Sequence, residues 1–321
     1  MTTQTRIIDA HNHIGVELLF YLHGDYPYGQ DLCSMIENRA AEPITDWIVF
    51  PFVTNQSFST AAMREGRIEV SPEAPVPYAF ENRRLLQEVH DYFPEYTQKV
   101  IPFVMLDPAR RVPEQVEALR SLRNEYAFSG FKIQATIIQS PIRSLMDNGA
   151  PLLDLAREWH LPFTIHSSIA ENDPWSPCSD ILDIAEANQD VHFCLAHSCR
   201  FDLPSLERLA SLPNVWFDCS AHRIHCESVL RNLPNIATPS RRFPSDYRDP
   251  ARVLADLHEA FPGKLIWGSD SPFYSWITSS GRLPFKLKSS YKAESDCLLA
   301  QDPNVIQDIA CKHTLQYIHY A

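Results

Sequence analysis

The chain has 321 residues, 45% hydrophobic and 21% charged, a composition that predicts a globular protein with a large buried core. Its formal net charge of -12 argues against wide contact with nucleic-acid phosphates, because such contact requires clustered lysine and arginine. No window approaches the roughly 20 continuous apolar residues of a membrane span, and the N-terminus lacks the order of a signal peptide, so we expect a cytoplasmic protein.

Short apolar runs that alternate with helix-like segments predict the architecture. Eight runs have the pattern of strands: residues 6–13, 46–52, 100–107, 130–135, 161–166, 191–197, 214–220 and 264–270. Six segments between them carry apolar residues at helical spacing: 81–93, 112–126, 150–160, 179–188, 203–211 and 249–261. Residues 293–318 could supply a final helix or two. No linker or low-complexity tract divides this series, which predicts a single domain over residues 1–321.

Two α/β folds accommodate eight strands that alternate with helices: a doubly wound sheet and a closed barrel. The chain has only 9 glycines and neither a GxGxxG nor a Walker motif, which favours a (β/α)8 TIM barrel. Long βα-loop insertions are expected after strands 1, 2, 7 and 8. The proline-rich segment Ser71–Pro77 in the second of these loops resembles a lid or a partner-binding arm.

Polar side chains stand at the ends of four predicted strands. His11 and His13 are two residues apart, so on a strand they share one face, and alone they could equally be hydrogen-bonded histidines of a barrel core. His166, His197 and Asp270 end strands five, six and eight. Barrel active sites are built at this end of the strands. The nitrogen and oxygen donors suit one divalent metal, zinc first and manganese or iron less specifically.

The motifs at these strand ends resemble those of the amidohydrolase superfamily. The similarity is specifically to its amidohydrolase-related branch of TIM-barrel metal-dependent enzymes, which includes aminocarboxymuconate semialdehyde decarboxylase. The matching segments are DAHNH (9–13), GFKIQA (130–135), FTIHSS (163–168), CLAHSC (194–199) and IWGSDSP (266–272). The resemblance implies that His11, His13, His166 and Asp270 bind the metal. It also implies that His197 lies beside the metal as a general acid/base or polarising group.

Lys132, near the end of predicted strand four, allows a second arrangement. In other branches of the superfamily a lysine at this place is carbamylated and bridges two metals, whereas one metal is usual in the branch that this chain resembles. Lys132 would otherwise contact substrate or fill the floor of the barrel.

The resemblance leaves three functions open. The first is a metal-dependent hydrolase that acts on a lactone, ester or amide bond of a small carboxylated or cyclic metabolite. In this function Asp270 accepts a proton from a metal-activated water. The second is a metal-dependent nonoxidative decarboxylase of an aromatic or unsaturated acid. His-x-His on strand one favours the hydrolase, because decarboxylases of aromatic acids in this branch often carry Glu-x-His there. The third is a non-catalytic metal-binding barrel.

Loop residues beyond the strand ends are candidates for substrate binding. Arg200, His222, Arg223 and His225 would bind an anionic group, and Tyr274 and Trp276 would stack on a ring, unless they serve loop ion pairs and lid packing. We expect a small-molecule substrate and neither a nucleic-acid nor a membrane partner. Because members of the resembling branch are commonly dimers or larger, a homodimer is also possible.

Overall fold

Eight parallel strands form the centre of the computed structural model, which describes residues 6–71, 75–278 and 286–319. These strands are β1 (Ile8–Val16), β2 (Asp46–Pro51), β3 (Val100–Met105), β4 (Gly130–Ile133), β5 (Phe163–Ile165), β6 (Phe193–Leu195), β7 (Val215–Asp218) and β8 (Leu265–Ile266). Each lies within or overlaps one of the eight predicted runs. Most of these strands are shorter than the predicted runs, because the backbone hydrogen bonds between strands end before the polar residues that close the runs.

The strands follow one another around the ring in chain order, each parallel to the next. Backbone hydrogen bonds between β1 and the segment after β8 close the ring. Ala10 N–H donates to Trp267 O at 3.1 Å, and His13 N–H donates to Ser271 O at 2.6 Å. The predicted α/β TIM barrel is therefore confirmed.

Gly268 permits the close approach of β1 to the end of β8. A Cβ atom at this position would lie 2.7 Å from His11 Cβ and 3.1 Å from His11 N, well inside van der Waals contact. The glycine of the GSD motif therefore brings His11 and Asp270 onto neighbouring backbones.

Helices surround the barrel and confirm the six helical segments of the sequence. Within the described residues they are α1 (Leu18–His23), α2 (Leu32–Glu37), α3 (Thr60–Arg64), α4 (Ala79–Gln87), α5 (Val112–Glu125), α6 (Ala150–Trp159), α7 (Cys178–Ala187), α8 (Leu203–Ser211), α9 (His222–Leu230), α10 (Pro250–Ala260), α11 (Tyr291–Leu299), α12 (Pro303–Gln307) and α13 (His313–Ile318). A π-helical turn, Glu88–Tyr92, extends α4, and another, Asp308–Lys312, joins α12 to α13.

The barrel interior is a separate apolar cluster, closed by the last helix. Ile8, Phe50, Phe103 and other inward side chains of β1, β2, β3, β6, β7 and β8 pack together with Tyr317 of α13. The Tyr317 hydroxyl also makes a 2.8 Å hydrogen bond with Thr164 Oγ1 of β5. Apolar side chains fill this end of the barrel. A functional site is therefore expected at the opposite end, where the polar residues follow the carboxyl ends of the strands.

Long loops cover that opposite face after β1, β2, β7 and β8, as predicted. Short antiparallel pairs stiffen two of them: Gly29–Gln30 pairs with the end of β1, and Trp276–Ile277 pairs with Lys286–Leu287. Residues 72–74, in the proline-rich segment expected to act as a lid or arm, lie outside the described residues. In the part of the chain that is described, no helix has both the length and the apolar character to cross a membrane.

Candidate metal centre and substrate cavity

Three buried side chains converge at the carboxyl ends of β1 and β8. His11 and His13 share one face of β1, and Asp270 follows β8. One ligand atom from each lies within 4.8 Å of the other two. Asp270 Oδ1 is 3.3 Å from His11 Nε2 and 3.8 Å from His13 Nε2. The fold thus brings together three of the four residues expected to bind metal.

Hydrogen bonds outside this cluster orient both imidazoles. His11 Nδ1–H donates to Asp218 Oδ2 at 2.8 Å, and His13 Nδ1–H donates to the Pro51 carbonyl oxygen at 2.9 Å. Because both partners are acceptors, each Nε2 atom keeps its lone pair for the cluster. Burial, and then the charge on Lys132, lowers the pKa of His11 to about 4 and that of His13 well below its usual value. Both rings are therefore neutral at pH 7, as metal ligands must be.

This donor set fits a divalent metal. Two imidazole nitrogens and one carboxylate form a three-ligand site of the catalytic type, which leaves a coordination position for water or substrate. The same set suits zinc and also manganese or iron. Burial raises the pKa of Asp270 well above its usual range, because the surrounding protein stabilises the negative charge of the carboxylate poorly. A cation bound at this place would stabilise that charge.

Lys132 lies directly against the cluster. Its Nζ is 3.0 Å from His11 Nε2 and 4.8 Å from the centre of the Phe50 ring, and the side chain is buried. Burial lowers the pKa of Lys132 to about 8. Lys132 therefore contacts the cluster directly, and its role as a bridge between two metals stays a prediction.

His166 lies outside the three-residue cluster, in a chain of hydrogen bonds with other polar groups. His197 Nδ1–H donates to the Ser220 carbonyl oxygen at 3.2 Å, so His197 Nε2 accepts from His166 Nδ1–H at 3.0 Å. His166 Nε2 accepts in turn from the Arg200 guanidinium at 3.1 Å. Both ring nitrogens of His166 thus face His197 and Arg200, and metal binding by His166 remains a prediction.

His197 reaches the cluster from an unusual backbone turn. Its Nδ1 is 3.7 Å from Asp270 Oδ2, and the side chain is buried. The residues His197–Phe201 all have positive φ, between 47° and 68°, although none is glycine. Strained backbone of this kind concentrates at functional sites. This turn directs the side chains of His197 and Arg200 towards the same region at the carboxyl end of the barrel.

Asp218, the last residue of β7, is a site residue that the sequence analysis missed. Besides the bond from His11, its carboxylate accepts from the backbone N–H groups of His197 at 3.0 Å and Ser220 at 2.9 Å, and from the Ser220 hydroxyl. Burial alone would raise the pKa of Asp218, but the charge and hydrogen bond of His11, together with Lys132, hold it well below its usual range. The available signal was a carboxylate at the end of predicted strand seven, the place occupied by His166 and Asp270 on their own strands.

A cavity of about 430 Å³ opens in front of these groups. Its polar end holds the metal cluster, Lys132, His166, His197 and Arg200, and its other walls include Phe20, Ile137, Ile224, Phe273 and Trp276. This volume suits a small molecule.

Three of the six loop candidates for substrate binding line this cavity: Arg200, His225 and Trp276. The other three, His222, Arg223 and Tyr274, do not line the cavity as the described residues form it. His222 Nε2 bonds the Pro250 carbonyl oxygen at 2.8 Å, and Arg223 lies 4.0 Å from Cys297 Sγ. Tyr274 packs against the large apolar core. His225 joins Ala221 and Ile224 in the cavity wall, at the start of α9.

Solved structures with the same fold include several hydrolases. A protein of Pseudomonas putida provisionally named a 2-pyrone-4,6-dicarboxylic acid hydrolase has a TM-score of 0.59 at 15% identity, over 98% of this chain and 97% of that one. Amidohydrolase 2 from Bifidobacterium longum subsp. infantis gives 0.54 at 14% identity, over 98% of both chains. Apo IDCase from Metarhizium anisopliae gives 0.54 at 13% identity, over 99% of this chain and 98% of that one.

Comparison of the sequence itself assigns the family. No curated protein matches the sequence at a significant level. The family model described as Amidohydrolase matches residues 8–279, which include all eight barrel strands and the three clustered side chains. The chain belongs to the amidohydrolase family.

Proposed function

We propose that this protein is a metal-dependent hydrolase that cleaves a lactone, ester or amide bond of a small molecule. The observation that carries this proposal is the convergence of His11, His13 and Asp270, with His197 next to Asp270 on the open side of the cluster. When bound there, a divalent metal supplies Lewis acidity and lowers the pKa of water from 15.7 to about 7.

Asp270 is placed to act as the general base. One of its oxygens, Oδ1, faces the two imidazoles, and the other, Oδ2, faces His197 at 3.7 Å. A carboxylate in this position accepts a proton from the attacking water and returns it to the leaving group.

His197 is placed beside Asp270 to act on the substrate as an acid–base group, since its Nδ1 lies 3.7 Å from Asp270 Oδ2. The backbone of His197 is fixed by Asp218 and its Nδ1 by Ser220, so the ring does not need to reorganise during the reaction. Its Nε2 atom accepts from His166 Nδ1–H and is the ring atom whose lone pair would accept a proton during turnover.

The products of turnover in isotopically labelled water test this function. The full chain, purified without chelator, is assayed for metal by elemental analysis and incubated with panels of lactones, esters, amides and aromatic acids in H₂¹⁸O. Hydrolysis places ¹⁸O in the product, whereas the alternative, decarboxylation, releases CO₂ and incorporates none. We expect stoichiometric metal, ¹⁸O-labelled product and loss of turnover on chelation.

The His197→Ala variant separates catalysis from metal binding. It should keep its metal and lose about 100- to 10,000-fold in turnover, the usual contribution of an acid or base group. Normal turnover in metal-replete His197→Ala would contradict the role of His197. A chain with stoichiometric metal and no turnover on any panel would favour a non-catalytic barrel.

A further inference from the structure

A second cavity lies beside the barrel, where the ends of β1 and β2 meet α2 and α4. Its wall includes Ile14, Ser34, Phe52 and Leu85, and its volume of about 640 Å³ is within the range of sites that bind small molecules. Among the described residues, none that lines this second cavity also lines the cavity in front of the metal cluster. It is therefore a separate space, and what it binds does not depend on the proposed hydrolysis.

The outer part of this wall is apolar and partly aromatic. Tyr28 and Phe80 are each 48% exposed, and Val16 is 56% exposed, although most large hydrophobic side chains of the described chain are buried. Exposed apolar side chains gathered around a cavity are typical of a binding site. The faces of aromatic rings also attract cations. The wall thus suits a ligand that has a hydrocarbon body and a positive charge.

Negative charge predominates among the charged side chains of the second cavity. Four of them line it: Asp31, Glu81, Glu88 and Arg84. Arg84 is already engaged, because its Nη1 donates to the Tyr92 hydroxyl at 2.9 Å and its Nη2 lies 3.8 Å from Glu88 Oε1. Asp31 caps α2 and accepts from Ser34 N–H at 2.8 Å. The one cation of the wall therefore balances Glu88 and leaves Glu81 uncompensated.

Glu81 is a half-buried carboxylate whose described partners are backbone N–H groups. Its Oε1 accepts from Gln56 N–H at 2.6 Å, and the carboxylate also accepts from its own backbone N–H. In the described parts of the chain, no basic group lies within ion-pairing distance of Glu81. Burial raises the pKa of Glu81, and the buried carboxylate of Glu17 adds negative charge nearby. A cation bound beside Glu81 would stabilise this charge.

Thr54 brings a hydroxyl without a partner to the same wall. Its side chain lines the second cavity, the residue is 1% exposed, and Oγ1 has no hydrogen-bond partner among the described residues. Thr54 lies two residues before Gln56, whose N–H holds Glu81, so the hydroxyl and the carboxylate belong to one stretch of wall. A buried polar group without a partner is costly, and a ligand that donates to it removes that cost.

We propose that the second cavity binds an organic ammonium ion with a hydrocarbon body. The ammonium group donates to the Glu81 carboxylate and to Thr54 Oγ1, and the hydrocarbon packs against the rings of Tyr28 and Phe80. A primary ammonium has three N–H bonds, enough for both acceptors. A neutral ligand of the same shape lacks the attraction to Glu81, so the site distinguishes ligands by charge as well as by shape.

Calorimetric titration of the metal-loaded full chain with 2-phenylethylammonium and with the neutral 2-phenylethanol tests this proposal. Wild type should bind the ammonium at least about tenfold more tightly than the alcohol. Glu81→Gln should bind the ammonium about 10- to 100-fold more weakly, the effect of losing a hydrogen bond to a charged group, and bind the alcohol unchanged. Thr54→Val should weaken ammonium binding about 2- to 10-fold without lowering the urea midpoint, because the hydroxyl that it removes has no partner in the free protein.

Two control variants locate the bound cation. Glu117→Gln, exposed on α5 and outside both cavities, should bind both probes as wild type does. Asp173→Asn removes a carboxylate from the wall of the first cavity, and it too should leave ammonium binding unchanged.

Three results would overturn the proposal. The first is equal affinity of wild type for the two probes, or no binding of either. The second is unchanged ammonium affinity in Glu81→Gln; if Asp173→Asn then loses the affinity, the cation binds in the first cavity. The third is unchanged ammonium affinity in Thr54→Val, which contradicts the contact with the hydroxyl. Metal content and ¹⁸O incorporation are measured separately, so a failure here leaves the proposed hydrolysis standing.

Discussion

Replacing Asp218 by asparagine should remove the ligand atom of His11 while leaving the barrel folded. The two oxygens of Asp218 serve different partners. Oδ1 accepts from three donors, the backbone N–H groups of His197 and Ser220 and the Ser220 hydroxyl. Oδ2 accepts from His11 Nδ1–H. An asparagine has only one acceptor oxygen, so its NH₂ group must face one of these two sets of donors.

The donor count decides how that asparagine sits. Its oxygen should keep the three donors on the Oδ1 side, which leaves its NH₂ group pointing at His11 Nδ1. His11 must then accept through Nδ1 and carry its proton on Nε2, the atom that faces Asp270 at 3.3 Å. A protonated Nε2 cannot bind metal. Loss of a partner of this kind typically weakens metal affinity 10- to 100-fold, or by about 1.4 to 2.7 kcal/mol.

Competition with a chromophoric chelator measures this loss, and circular dichroism during heating monitors the fold. Asp107→Asn is the matched control. Asp107 is equally buried and also accepts several hydrogen bonds, but it serves the loop after β3 and contacts none of the clustered residues. The reasoning is refuted if Asp218→Asn binds metal as tightly as wild type, or if Asp107→Asn loses metal to the same degree.

Two further substitutions test the close approach at β8 and a buried acid beyond the cavity. Gly268→Ala should lower the free energy of unfolding by about 1–3 kcal/mol and release metal, because the new Cβ would lie 2.7 Å from His11 Cβ. Unchanged urea unfolding with full metal content would count against this. Burial raises the pKa of Glu294 to about 7, so the folded chain holds a proton that the unfolded chain releases near pH 4.5. The free energy of unfolding should therefore fall as pH rises through that window, and Glu294→Gln should be about 3 kcal/mol more stable than wild type at pH 8 but not at pH 4. Identical urea midpoints for both chains at the two pH values would exclude this effect.

The barrel could be predicted because its signals are local. Each strand is a short apolar run and each outer helix has its own 3.6-residue pattern, so the order of elements follows from the sequence alone. Parallel strands place their carboxyl ends on one face, and this rule brought His11, His13 and Asp270 together without any knowledge of tertiary contacts.

The orientation of side chains beyond the strand ends could not be predicted in the same way. Arg223 follows strand seven closely, but α9 begins at His222, and a helix turns about 100° per residue. His225 therefore faces the cavity, whereas Arg223 does not. Asp218 was missed for another reason: its partner His11 is 207 residues away, and only closure of the ring makes them neighbours.

The left-handed turn His197–Phe201 depends on neighbouring segments to hold two side chains of the cavity in place. Non-glycine residues in this conformation cost roughly 1–2 kcal/mol each, so the five together cost on the order of 5–10 kcal/mol. Neighbouring segments must hold the turn in place. Asp218 accepts from His197 N–H at one end, and at the other the backbone N–H groups of Ala237 and Phe243 donate to the Arg200 and Phe201 carbonyl oxygens at 3.1 and 2.9 Å.

These supports act on both side chains at once. His197 and Arg200 belong to the same strained turn, so a change in the loop after β7 that releases Ala237 or Phe243 would displace both side chains together. One backbone turn therefore positions both His197, the proposed acid–base group, and Arg200 of the cavity wall. The segment after β7 thus supports this turn and also contributes Ile224, His225 and Asn235 to the cavity wall.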